Sequence, residues 1–156
     1  MKEDRVRGGK LKCSVAAWVA AWAVAVFLPS LLIAFARLPE GGFTLARLGA
    51  DAWQIADTMS MGAKLMLGAA LAGLFWAAQR LARDDREALM AMSAVAGVFA
   101  MTLTLLLIPA TWSRGFGIGL AGARLAPTLL PLYLTGAAVA GMVHAWSLSQ
   151  CRARLG

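Results

Sequence analysis

Four apolar runs, Val15 to Ala36, Thr58 to Ala82, Ala88 to Pro109 and Thr128 to Ser149, take up most of this chain. Each is close to the roughly 20 residues an α-helix needs to cross a hydrocarbon core. Inside lipid every backbone N–H and C=O must be satisfied within the segment, so runs of this kind fold as helices. Apolar residues make up 60% of the 156 positions, with a mean hydropathy of +0.70. That exceeds what a soluble domain of this size requires. The pattern predicts an all-α polytopic membrane protein, an up-down four-transmembrane-helix bundle forming one domain over residues 15–149. A basic segment, residues 1–14, precedes it and a short tail, residues 150–156, follows.

The formal charge of +7 raises nucleic acid as a partner, but the placement of the charges argues against it. Lys2, Arg5, Arg7, Lys10 and Lys12 precede the first run, Arg80, Arg83 and Arg86 separate the second from the third, and Arg152 and Arg154 follow the fourth. The opposite side holds only Arg37, Arg47, Arg114 and Arg124. By the positive-inside rule both termini are cytoplasmic, in a bacterial-type inner membrane, and the five N-terminal cations meet anionic lipid headgroups. A basic start, an apolar run and Ala34-Phe35-Ala36 imitate a cleavable signal, yet the run is longer than a signal core. It is read as a retained helix.

Between the first two runs, Thr44 can cap a helix over about 44–56 in which Leu45, Leu48, Ala52 and Ile55 form an apolar stripe. This is expected to lie in the outer interface. Pro29 removes a donor within the first span and predicts a bend. The loop after Pro109 contains Gly117-x-Gly119-x-x-Gly122. That spacing matches a dinucleotide-binding pattern, but no strand precedes it, so it reads as a turning loop. Cys13 and Cys151 fall at the cytoplasmic ends of the first and last spans, where a structural disulfide is not expected. Without a C-x-x-C pair a thiol oxidoreductase lacks its reagent.

The second span carries Lys64, about 9 Å below its outer end if the helix starts at residue 58. A lysine at that depth snorkels, pairs or serves transport. Depth places Asp57, Tyr133 and Thr104 near it, as a candidate intramembrane polar site. A second layer, His144, Gln79 and Ser93, falls in the inner half. His144 is the only histidine, so neither bis-histidine haem ligation nor a histidine-rich metal site is available within one chain; no cofactor and no metal are expected. Ser93, Gly97, Ala100 and Thr104, and likewise Tyr133, Ala137, Ala140 and His144, recur at helical spacing as small or polar stripes. Small residues spaced by four, such as Gly68 with Ala72, Ala69 with Gly73, Gly136 with Ala140 and Ala137 with Gly141, mark close helix contacts. Trp18, Trp22, Trp76 and Trp146 read as an inner aromatic belt, and Trp53 and Trp112 as an outer one.

No complete catalytic constellation is present. The expected function is a non-catalytic subunit or accessory protein of a larger membrane assembly, with lipid and a membrane-protein partner or a second copy as its contacts. The alternative is a small oligomeric transporter or channel that uses Lys64. A third reading is a membrane enzyme acting on lipid or quinone.

Overall fold

A computed structural model describes residues 2–36, 44–82, 85–107 and 128–154. They form five α-helices and no strand: α1 Lys2–Ala36, α2 Leu45–Thr58, α3 Met61–Leu81, α4 Arg86–Leu107 and α5 Leu130–Ala153. Within α1 the stretch Gly9–Ala36, and the whole of α3 and α4, are long and apolar enough to cross a membrane. These three helices point to a membrane protein. The fifth helix is of similar length, 24 residues, but Tyr133, Thr135, His144 and Ser147 dilute its apolar content.

The starts of α2, α3, α4 and α5 each have a local cause. Thr44 caps α2, its Oγ1 accepting from the Arg47 N–H at 3.4 Å. Ser60 does the same for α3, accepting from Ala63 N–H at 3.3 Å. At α4 the Asp85 Oδ1 accepts from both Glu87 and Ala88 N–H, at 2.9 and 3.2 Å. Such side-chain oxygens satisfy helix donors that have no intrahelical acceptor. Pro131 stands in the first turn of α5, where a missing donor is harmless. The basic N-terminal segment is not separate from the first span; it begins the same helix at Lys2.

The cap at Ser60 corrects the expected second span. α2 continues to Thr58, and α3 starts at Met61. Lys64 is therefore three residues into its helix, about 4.5 Å of axial rise rather than 9 Å. A hydropathy window cannot separate two collinear-looking apolar segments divided by a two-residue cap.

α5 packs along α1 on one side and α4 on the other; α3 packs on α4 and touches α1 only lightly, and α2 lies against α1. The α4/α5 seam is made by glycine. A Cβ at Gly97 would fall on the Ala137 carbonyl, and one at Gly141 on the Ser93 carbonyl. The α1/α5 seam repeats this, since a Cβ at Gly136 would lie 2.5 Å from Pro29 Cγ. Pro29 is fully buried there, inside a helix that continues to Ala36. Where hydrocarbon surrounds a bundle, close backbone approach replaces hydrophobic burial as the packing force.

Two indoles bridge α1 and α3. Trp18 Nε1 donates to the Gly68 carbonyl and Trp22 Nε1 to the Lys64 carbonyl, both at 2.9 Å. Their rings stack with centroids 5.5 Å apart. Gly68 makes room for them, because a Cβ there would meet Trp22 Cε2 at 3.1 Å. These two tryptophans thus belong to a helix contact instead of the inner belt. An indole N–H away from water needs an acceptor, and a helix carbonyl with a spare lone pair supplies it.

Cys13 and Cys151 form a disulfide, 138 residues apart in sequence with Cα atoms 5.6 Å apart. This overturns the expectation of two unpaired interfacial cysteines. A reducing cytoplasm bears on whether a bond between them would persist. Helix packing decides whether the two can meet, and α1 and α5 are neighbours whose ends stop at one level.

A candidate functional site at the basic end of the bundle

The polar residues at the basic end of the bundle are positioned by three helices. Phe75 and Gln79 are four residues apart on α3, so they share a face; Ser93 lies in α4; His144, Leu148 and Arg152 follow at steps of four along α5. The structure brings Gln79, Ser93 and His144 together. Gln79 Nε2 stands 3.4 Å from His144 Nε2, and Ser93 Oγ 3.5 Å from His144 Nδ1. His144 and Ser93 are wholly buried, and the imidazole stacks on Phe75 with centroids 4.0 Å apart and planes 12° from parallel.

Two further residues complete this cluster. Arg152 Nη2 donates to Gln79 Oε1 at 3.0 Å, and Gln79 Nε2 donates to Ser14 Oγ of α1 at 3.4 Å. Arginine has only donors, so the oxygen of the Gln79 amide must face it and the NH2 must face His144. The His144 Nε2 then accepts. Its proton sits on Nδ1, directed at Ser93 Oγ. One charged residue at the surface thereby fixes the direction of every hydrogen bond down to the buried serine. Helical spacing could have revealed Arg152 and Ser14: the first lies two turns beyond His144, the second one turn before Trp18.

The polar residues grouped with Lys64 are arranged differently. Lys64 and Asp57, with Phe27, Trp53 and Ala56, line a small cavity of about 30 Å³. Lys64 is half-buried and Asp57 exposed. Tyr133 and Thr104 do not line that cavity; both are buried in the bundle, and Thr104 Oγ1 donates to the Ala100 carbonyl at 2.7 Å. Tyr133 packs with Val26, Ala137 and their neighbours in the main core. Phe27 of α1 stacks on Trp53 of α2 at 5.7 Å, which seats α2 against the C-terminal half of α1.

Of the expected headgroup-contacting residues, Lys10 and Lys12 are exposed near the start of α1, and the side chains of Lys2, Arg5 and Arg7 lie outside the described residues. So does the glycine-containing loop with Gly117, Gly119 and Gly122. Leu11, Val15, Trp18, Ala72, Phe75 and Trp76 wall a slot of about 240 Å³ between α1 and α3, with Ser14, Gln79 and His144 at its polar end. No known family, curated protein or solved structure matches the chain.

Proposed function

We propose that this protein is a non-catalytic subunit or accessory protein of a larger membrane assembly. In this reading α5 crosses the membrane together with α1, α3 and α4, in an up-down arrangement with both termini on the cytoplasmic face of a bacterial-type inner membrane. One observation carries it: the polar side chains of the inner half are spent on one another. Arg152, Gln79, His144 and Ser93 join three helices in a chain of hydrogen bonds with a fixed direction, and Ser14 adds the fourth helix. Such a network holds helices in register, which is a structural task.

Three features support the same reading. Lys64 sits in the first turn of α3, where its ammonium reaches the outer surface with little rearrangement. Meanwhile Gly73 on α3 has nothing within 4 Å of its would-be Cβ, in contrast to Gly97, Gly136 and Gly141. Together with exposed Ala69 it offers a partner helix the same close approach that α4 and α5 already use. Burial of Cys13, 1% exposed, shields that end of the disulfide from soluble reductants.

The test is recovery from native membranes. Photocrosslinkers at positions 69 and 73 of α3 are expected to trap one defined membrane-protein partner, while the same probe at Trp146 on α5 traps none. Solubilisation as a monomer with no crosslinked species at either position would refute the proposal.

A further inference from the structure

The slot between α1 and α3 exists because the Trp18 and Trp22 indoles hold the two helices apart, while glycine seams and the disulfide draw α1 toward α5. It opens sideways, since Leu11, Val15 and Trp76 on its rim are exposed. Its walls are aliphatic and aromatic, and its polar end is at the basic face.

Three cations from three helices are tied to residues that line the slot, by contact or by helical spacing. Arg80 lies over the Trp76 ring, its Cζ 5.1 Å from the centroid. Arg152 is anchored on Gln79 at 3.0 Å. Lys10 precedes Ser14 by one helical turn, on the α1 face that lines the slot, and is exposed. Trp76 and Gln79 are themselves wall residues, so both guanidinium groups, though exposed, are anchored at the edge of the slot. The Asp85 carboxylate is occupied in capping α4.

We propose that this slot binds one phospholipid with an anionic headgroup, its phosphate among Lys10, Arg80 and Arg152 and one acyl chain along Trp18, Phe75 and Trp76. A laterally open apolar groove with clustered cations at the headgroup level matches such a molecule in both parts. A free phosphate would use only the polar end and leave the apolar wall uncovered.

Native mass spectrometry of the full chain, released from nanodiscs of equal phosphatidylglycerol and phosphatidylcholine with matched chains, tests this. One phosphatidylglycerol per chain is expected to be retained. Lys10→Gln and Arg80→Gln should each reduce retention about fivefold, and Ala72→Phe, which fills the slot from an exposed position, should abolish it. Lys12→Gln, two residues from Lys10 and on another face, should leave retention unchanged. All four positions avoid the buried network, and an unaltered unfolding midpoint checks that the fold is intact. Equal retention of phosphatidylcholine, an equal effect of Lys12→Gln, or retention insensitive to Ala72→Phe would overturn the proposal. So would displacement of the lipid by inorganic phosphate at about 10 mM, which would assign the cations to the free anion.

Discussion

Gly141→Ala is expected to destabilise the bundle, although alanine is the better helix former. In an unconstrained helix the change would stabilise by about 0.5–1 kcal/mol, through the lower entropy loss of alanine. At position 141 the added methyl would overlap the carbonyl of Ser93 and lie 2.7 Å from Ala94 Cα. These are backbone atoms of a neighbouring helix, so no rotamer change relieves the overlap and α5 must move away from α4. Overpacking of this kind costs about 1–3 kcal/mol. Its upper half applies here, because retreat would also loosen the Gly97 contact and the Ser93 to His144 approach at 3.5 Å. The net expectation is a loss of about 1–2 kcal/mol. Gly73→Ala supplies the internal control: with nothing within 4 Å, it keeps the propensity gain and is neutral or stabilising. Both variants would be unfolded reversibly in mixed micelles by SDS titration, followed by tryptophan fluorescence. Equal midpoints for the two, or a Gly141→Ala variant more stable than the parent, would refute the glycine-seam account.

Gln79→Leu leaves buried His144 without its donor and should destabilise by about 1–3 kcal/mol. In the parent protein, 15N spectra of labelled histidine should show the proton on Nδ1, and Gln79→Leu should give a mixture of tautomers; an unchanged tautomer in the variant would contradict the direction assigned to the network. Trp22→Phe preserves a ring between α1 and α3 but loses the bond to the Lys64 carbonyl, for an expected loss of about 0.5–1.5 kcal/mol in the same titration; a gain would mean the indole contact is not stabilising. For the disulfide, thiol titration of the unreduced, unfolded chain should find no free thiol. Replacing both cysteines with alanine should lower stability by less than roughly 5 kcal/mol, the chain-entropy ceiling for a loop this long. Two titratable thiols would refute the bond.

Much of the fold was legible in the sequence because the constraint is local. A helix crossing lipid must be apolar over about 20 residues whatever its neighbours are, so α1, α3 and α4 could be located without knowing what they touch. Caps act locally too, and Thr44 announced α2. Helical spacing likewise put Ser93, Gly97, Ala100 and Thr104 on one face, and depth grouped His144 with Gln79 and Ser93. What the sequence by itself determined, then, was which segments are helices, which face of each is small or polar, and at what level a polar side chain sits.

Tertiary structure decided which faces meet, and that depends on residues far apart in the chain. It set Gly141 on Ser93 and joined Cys13 to Cys151. Trp18 and Trp22 were moved from a lipid interface into a helix contact, and Arg152 was brought to Gln79 from 73 positions away. It also shortened the second span, so that Lys64 lost about half of the depth that made it look costly. The physical reason is common to all of these. In a bundle surrounded by hydrocarbon, hydrophobicity does not choose among helix neighbours, so the choice falls to close steric fit and a few hydrogen bonds, whose partners are set by distance in space.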